Sequence, residues 1–314
     1  MEVTTRMGTK LMFATAVVAA LLVTHPSRAA DTVTLAGPNS DFPDADLVMP
    51  FDALEPRTTY FALSNVLDGP VDAQWVFYDE SGVKLAQVVR TTLGEGGTDI
   101  VDVTRIADRT LGDSGSLTEG ASQSLAGKRG FVVVAGDGTR RLIGSFTIAN
   151  VSTNSAYGAS AFGMDAIGTL APGLSLLGTT FNPSTLNDGL LILVGLNPGV
   201  SSDAPVTSLT NGEPLASSQP LMRLSISLHS NQGNGVLADG TFPVVGSALF
   251  SSLQDLFPGT ALNASATIVA FGAEGSGYSG SAFDPDTDGD VALIGFYGQA
   301  LGPFGTGQNL RILP

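Results

Sequence analysis

Residues 222–229 are Met222-Arg223-Leu224-Ser225-Ile226-Ser227-Leu228-His229. Apolar and polar side chains alternate strictly along this stretch, so an extended strand would collect four apolar residues on one face and four polar residues on the other. A period of two is typical of a strand in an antiparallel sheet with one buried and one solvated face. The pattern therefore predicts a β-strand here and places His229 on its solvated face.

Short segments of similar character recur along the chain. They are rich in Val, Ile, Phe, Tyr and Thr, and turn-forming sequences such as Asp68-Gly69-Pro70 separate them. The clearest segments are 59–66, 73–78, 83–89, 100–103, 130–135 and 142–149. One helix is predicted at 247–257, where apolar residues fall at helical spacing between a capping Ser247 and the breaker Pro258-Gly259.

The two halves of the chain look like degenerate copies of each other. Segment 74–82 parallels 224–231, segment 131–138 parallels 267–274, and 142–146 parallels 293–296, in the same order. We therefore predict an all-β protein of two antiparallel β-sandwich domains, with one short helix in the second. The predicted domains are 31–165 and 189–314, connected by segment 166–188.

Two stretches give the sequence a family resemblance. They are Tyr60-Phe61-Ala62-Leu63-Ser64-Asn65 and Trp75-Val76-Phe77-Tyr78-Asp79-Glu80-Ser81-Gly82. This pattern of strand, polar turn and returning strand resembles the tandem immunoglobulin-like or fibronectin-like modules of exported bacterial surface proteins. The cysteines that mark antibody-type domains are missing, so the resemblance implies a sandwich architecture and assigns no functional residue.

The N-terminal residues predict export. Arg6 and Lys10 precede an apolar run at 11–23, which is followed by Pro26 and a small-residue exit at 27–30. This is the pattern of a secretory signal peptide covering residues 1–30, so we expect a secreted, cell-surface or periplasmic protein. The apolar run is shorter than a bilayer-spanning helix, and we expect no transmembrane segment in the mature chain.

Charge and cysteine content narrow the possible partners. The net charge is −15, which disfavours binding to nucleic acids or to anionic lipid surfaces. No cysteine is present, so disulfide bonds are excluded. The expected partner is a protein or a glycan surface, and the oligomeric state is left open.

An acidic run near the C-terminus is the best candidate for a metal site. It reads Asp284-Pro285-Asp286-Thr287-Asp288-Gly289-Asp290. Alternating carboxylates with a glycine at the turn would suit Ca²⁺, which prefers several oxygen ligands. Asp284, Asp286, Asp288 and Asp290 are the predicted ligands. The glutamate that an EF-hand needs at its twelfth position is replaced by Gly295, and a solvated turn without metal is the alternative interpretation.

Motifs for catalysis lack the groups that their chemistry needs. Segment 112–116, Gly-Asp-Ser-Gly-Ser, resembles the nucleophile segment of serine proteases, but the only histidine after residue 30, His229, follows it in the chain. Segment 275–280 has dinucleotide-binding spacing, yet an acidic run follows it where a helix should begin. Nothing pairs two of the glutamates as an acid and base for glycoside hydrolysis.

Aromatic side chains offer one more kind of site. Trp75, the only tryptophan, alternates with Phe77 and is predicted to lie in a sandwich core. Tyr78 falls on the opposite face, where a surface contact is possible. Together these features predict a non-enzymatic surface, adhesive or matrix protein, with Ca²⁺ at the acidic run as a candidate stabilising ion. The alternative is a carbohydrate-active protein, either a calcium-dependent glycan binder or a glycoside hydrolase.

Overall fold

The computed structural model describes residues 46–82, 84–105, 115–117, 125–136, 142–163, 176–177, 188–196, 222–230, 235–244, 246–260, 266–274, 292–301 and 304–312. All of them belong to one compact unit, Ala36–Pro314. The predicted signal peptide, 1–30, lies outside the described residues.

The described residues of the first half form ten strands and a short 3₁₀ helix at Val103–Arg105. Two antiparallel sheets contain the ten strands: sheet A1 in the order β5-β2-β8-β9 and sheet B1 in the order β10-β1-β7-β3-β4-β6. The strands are β1 (Asp46–Asp52), β2 (Arg57–Asn65), β3 (Val71–Asp79), β4 (Lys84–Leu93), β5 (Thr98–Asp102), β6 (Gly115–Leu117), β7 (Arg129–Ala135), β8 (Leu142–Asn150), β9 (Ser155–Ser160) and β10 (Phe162–Gly163).

In the second half, the part that the structure describes contains nine strands and one helix, α1 (Leu253–Leu256). Sheet A2 has the order β15-β12-β17-β18 and sheet B2 the order β14-β13-β16-β11-β19. The strands are β11 (Leu176–Leu177), β12 (Asp188–Leu196), β13 (Met222–Ser230), β14 (Val236–Val244), β15 (Ala248–Ser251), β16 (Ala266–Glu274), β17 (Ala292–Leu301), β18 (Phe304–Asn309) and β19 (Arg311–Ile312).

This architecture confirms the predicted all-β fold with two sandwiches. No described strand of the first half joins a sheet of the second half. Two residues of segment 166–188, Leu176–Leu177, form β11 inside sheet B2, and Asp188 begins β12. The predicted domain boundaries themselves stay a prediction.

The strand order supports the predicted duplication. Sheets A1 and A2 each have four strands. When the strands of each sheet are numbered in chain order, both sheets have the same spatial order: second, first, third, fourth. In sheet B1 the run β4-β3-β7-β1-β10 corresponds strand for strand to β14-β13-β16-β11-β19. The three sequence matches fall on the equivalent pairs β3 and β13, β7 and β16, β8 and β17. Strand β6 alone has no counterpart among the described residues.

Residues 222–229 form the predicted strand, with the apolar side chains of 224–228 in the core. Leu224, Ile226 and Leu228 are fully buried, whereas the polar residues between them lie half-buried on the other face of β13. Inside the first sandwich, the Phe61 ring lies 5.9 Å from that of Trp75 and 6.2 Å from that of Phe77. Trp75 is 1% exposed, so its predicted place in the core is confirmed.

Sheets B1 and A2 are buried on both faces. In β3, Val76 is as inaccessible as its neighbours Trp75 and Phe77, and in β12 Ile192 is as inaccessible as Leu191. One hydrophobic cluster contains first-half residues together with Leu190, Ile192, Val194, Phe250 and Phe296 of sheet A2. A second cluster joins the other face of sheet A2 to sheet B2. Sheet A2 therefore packs against the first half with one face and against its own sandwich partner with the other.

The predicted helix at 247–257 is wrong over most of its length. Ala248–Ser251 is strand β15, which pairs with β12 so that Phe250 lies opposite Ile192. The helix α1 covers only four residues, and its N-cap is Ser252, whose side chain accepts from the Asp255 amide. The helical spacing of apolar residues is a local pattern and carries no information on pairing with β12. Residues 248–251 form a strand because they pair with β12. No described helix is long and apolar enough to span a bilayer.

Candidate functional site

The four predicted calcium ligands, Asp284, Asp286, Asp288 and Asp290, lie outside the described residues. Within the described ranges, no group of three or more histidine, aspartate or glutamate side chains is placed to hold a metal ion. The calcium site therefore stays a prediction from sequence.

The protease-like segment does not form an active-site loop in the part that the structure describes. Its last two residues, Gly115 and Ser116, belong to strand β6, which pairs with β4. His229 lies far along the chain on the outer face of sheet B2, where Ser227 Oγ is 2.9 Å from its Nε2. The hydrogen-bond partner of that imidazole is thus a serine hydroxyl, whereas the catalytic histidine of a serine protease is oriented by a carboxylate.

Asp52 is buried, although it follows the acidic positions Asp41, Asp44 and Asp46 in the sequence. Its side chain is fully inaccessible and pairs with Arg57 at 3.3 Å. Its Oδ1 also accepts a hydrogen bond from the Leu54 amide. Burial raises the pKa of the Asp52 carboxyl, and the Leu54 amide and the Arg57 guanidinium only partly counteract that shift. These contacts anchor the turn after β1 and leave no open carboxylate for a ligand.

Tyr78 also differs from the sequence-based expectation. It lies on the face opposite Trp75, as predicted, but it is 7% exposed and stacks on Phe131 with ring centroids 5.4 Å apart. The face that alternation assigned to solvent is the face of sheet B1 that the second half covers. Neither Trp75 nor Tyr78 is open to a sugar ring.

Polar groups hold the two halves together at one end of β7. The Glu80 carboxylate pairs with the Arg129 side chain. The Arg129 guanidinium lies 5.3 Å from the centre of the Phe250 ring in the second half. The Glu80 carbonyl oxygen accepts hydrogen bonds from the amides of Ser247 and Ala248, at 2.9 and 3.0 Å. The turn between β3 and β4 is thus fixed to β15 by backbone hydrogen bonds as well as by charge.

Close backbone approach fixes the halves at a second place, between β9 and β18. Gly305 packs against the carbonyl of Ala156, and Gly298 lies under the ring of Tyr157. The Asn309 side-chain amide donates to the Ser160 carbonyl at 2.9 Å. Sequence reasoning missed this contact, although glycine inside a strand is a signal of close backbone approach.

The outer face of sheet A1 is open to solvent. Tyr60 and Ile100 are 40% and 46% exposed there. Asp102, directly opposite Tyr60, accepts at Oδ1 from the hydroxyls of Thr58 and Thr104. The equivalent face of sheet A2 carries Leu190, Ile192 and Val194 and is buried against the first half. The same face of the repeat is therefore aliphatic and buried in sheet A2, whereas in sheet A1 it is open and carries Thr58 and Asp102 beside Tyr60 and Ile100.

The free edge of sheet B2 is another exposed feature. Strand β14 pairs with β13 on one side and is the outermost of the strands that the structure describes in this sheet. Val236, at its start, is 52% exposed. A long edge strand presents unpaired backbone groups to other chains.

Comparison with known proteins gives little guidance. No protein-family description matches the chain, and no curated protein is significantly similar to it. A solved structure of the pilus backbone RrgB from Streptococcus pneumoniae aligns over 88% of this chain and 91% of its own, at 11% identity and a TM-score of 0.16. Nothing is inferred from a structural similarity of that size.

Proposed function

We propose that this chain is an exported, non-enzymatic component of a cell surface or matrix. The observation that supports the proposal is the joining of two sandwiches by buried sheet faces and main-chain hydrogen bonds, which suits a rigid structural or adhesive element better than a hinged enzyme. The predicted signal peptide supplies the export step. In addition, Gly115 and Ser116 of the protease-like segment belong to strand β6, which pairs with β4.

Location can be tested directly in cells that produce the protein. An antibody against the folded chain should label intact cells or the extracellular material around them. Mass spectrometry of the exported protein should find its N-terminus near residue 30. Retention in the cytoplasm with residue 1 intact would contradict the proposal.

A glycan-binding function is the second candidate, and the outer face of sheet A1 favours it. Tyr60 offers a half-open aromatic ring beside Asp102 and the Thr58 hydroxyl, and an aromatic surface with nearby polar groups is what sugar rings require. A screen of polysaccharides with the whole protein should then detect saturable binding that Tyr60→Ala abolishes. Val66→Ala, a change at a similarly exposed residue, is the matched control. Equal binding by both variants would exclude this face.

Calcium is proposed only as a stabilising ion at Asp284, Asp286, Asp288 and Asp290. A ligand that binds only the folded chain raises the apparent melting temperature. We expect the parent to have a higher Tm with calcium than with chelator, and Asp288→Ala to have the same Tm in both. Asp68→Ala, a change at an exposed loop residue, is the control and should respond to calcium as the parent does. The same Tm with calcium and with chelator in the parent would remove the proposal.

A further inference from the structure

Strand β14 is a pairing edge without an intramolecular partner in the part of the chain that the structure describes. It spans nine residues, and sheet B2 ends at it. Asp239 and Thr241 are exposed along this edge, and Gly240 and Phe242 are half-buried.

The equivalent strand of the first half is not left open. There, β4 carries β6 on the corresponding edge, with Val88 opposite Leu117 and Arg90 opposite Gly115. Val88 in turn lies opposite Trp75 of β3, near the middle of the sheet. One copy of the repeat therefore already uses this edge to bind an antiparallel strand.

The sequence of β14 is complementary to itself in antiparallel orientation. The pairing of β13 with β14 shifts register at Leu228/His229, which leaves Ala238–Val244 as the regular part, with Thr241 at its midpoint. A second copy placed antiparallel about Thr241 would set Gly240 opposite Phe242 and Asp239 opposite Pro243. No carboxylate would face another carboxylate, and a small residue would face a large one on the apolar side.

Backbone geometry agrees with this register. Proline has no N–H, and in edge strands it occurs where the amide position faces away from the sheet. The main-chain groups of Pro243 therefore point away from β13, toward the open edge. Because these groups point toward the open edge at every second residue of an antiparallel strand, those of Thr241 and Asp239 do so too. Centred on Thr241, the two strands would form roughly four backbone hydrogen bonds, two of them between the Thr241 residues. Pairing with an arbitrary strand would place Asp239 and Pro243 against groups that do not match them.

We propose that the protein forms a two-fold symmetric dimer in which β14 pairs antiparallel with β14 of a second copy, centred on Thr241. The pairing joins the two B2 sheets into one continuous sheet. It depends only on this edge and not on the proposed function, so a negative location or glycan experiment leaves it standing.

Single-cysteine cross-linking tests the register. Because the chain has no cysteine, Thr241→Cys introduces the only thiol, and a short bis-maleimide should convert most of that variant to covalent dimer. Thr98→Cys, at an exposed position of the edge strand β5, is the control and should give no covalent dimer, because Thr98 lies away from the proposed contact. Equal cross-linking of the two variants, or none in either, would overturn the proposal.

Charge exchange tests the symmetry without cross-linking. Thr241→Lys and Thr241→Glu each place like charges face to face, so each variant alone should sediment as a monomer while the parent sediments as a concentration-dependent dimer. An equimolar mixture of the two variants should recover the dimer. A parent that is monomeric at every soluble concentration, or a mixture that stays monomeric with both variants folded by circular dichroism, would refute self-pairing through Thr241.

Discussion

Gly305 of β18 lies directly against the main-chain carbonyl of Ala156 in β9, with no room for a side chain between them. The contact involves backbone on both sides, so neither partner can rotate away as a flexible side chain would. It connects a strand of the first half to a strand of the second half. The effect of an added side-chain carbon at Gly305 on the stability of the protein can therefore be measured.

Gly305→Ala should therefore destabilise the protein by about 1–3 kcal/mol, the typical cost of overpacking, because a Cβ would overlap the Ala156 carbonyl oxygen. Urea unfolding measures the change. Gly94→Ala is the control, since a Cβ at Gly94 would have nothing within 4 Å, and it should change stability by less than about 0.5 kcal/mol. Equal stability of the two variants would show that β9 and β18 are not in contact.

Arg129→Lys should weaken the junction although it keeps the charge. The Arg129 guanidinium lies over the Phe250 ring and pairs with Glu80, and a lysine ammonium cannot stack in that planar way. We expect a loss of about 1 kcal/mol in the free energy of unfolding. Lys128→Arg, at the exposed residue beside Arg129, is the control and should have little effect. An equal change in the free energy of unfolding in the two variants would show that the Arg129 guanidinium has no specific role at the junction.

Asp52 should make the protein lose stability as pH rises. Burial raises its pKa in the folded chain above the ordinary 3.8, so the folded chain holds this proton more tightly than the unfolded chain does. The contribution of Asp52 is therefore greatest below its unfolded pKa and is lost as pH rises through the folded one. In Asp52→Asn this part of the pH dependence should disappear from urea midpoints measured in steps upward from pH 3.8.

Asp68→Asn, a change in an exposed loop, is the control for Asp52 and should leave that pH dependence unchanged. If parent and Asp52→Asn keep a constant difference in unfolding free energy across the range, burial does not raise the Asp52 pKa.

Tyr297 should resist ionisation until the chain unfolds. Desolvation by burial raises its pKa well above the ordinary value of 10.0. An alkaline titration followed by near-ultraviolet absorbance should therefore show a late step that coincides with loss of structure. Tyr297→Phe should reduce that step, whereas Tyr60→Phe should leave it in place. A late step of unchanged amplitude in Tyr297→Phe would contradict this assignment.

The sequence predicted those features that depend on which face a side chain occupies. Alternation placed Leu224 and Ile226 in a core and Trp75 beside Phe77, and the order of strand-like segments indicated the repeat. Alternation does not indicate which other element of the fold covers a given face of a strand. Tyr78 was assigned to the correct side of β3, yet its burial depends on a sheet built from residues more than a hundred positions later. The strand at Ala248–Ser251 likewise depends on pairing with β12, which no local period records.

The junction was unpredictable for a related reason. The Arg129 and Glu80 pairing joins residues 49 positions apart in sequence, and Phe250 lies still further along the chain. Gly305 and Gly298 did carry a local signal, because glycine inside a strand weakens it unless another chain segment approaches closely. The calcium prediction lies outside the described residues and is not tested.

Two sheets buried on both faces limit how this architecture grows. At the junction, Val76 and Val133 of one repeat meet a sheet whose facing residues include Ile192 and Phe250. At the two remaining outer faces the repeat carries Ser227 and His229 on one side and the solvated Tyr60 surface on the other. A further sandwich stacked on either of these outer faces would meet more polar side chains than the junction buries, so it would gain less free energy from burying apolar area.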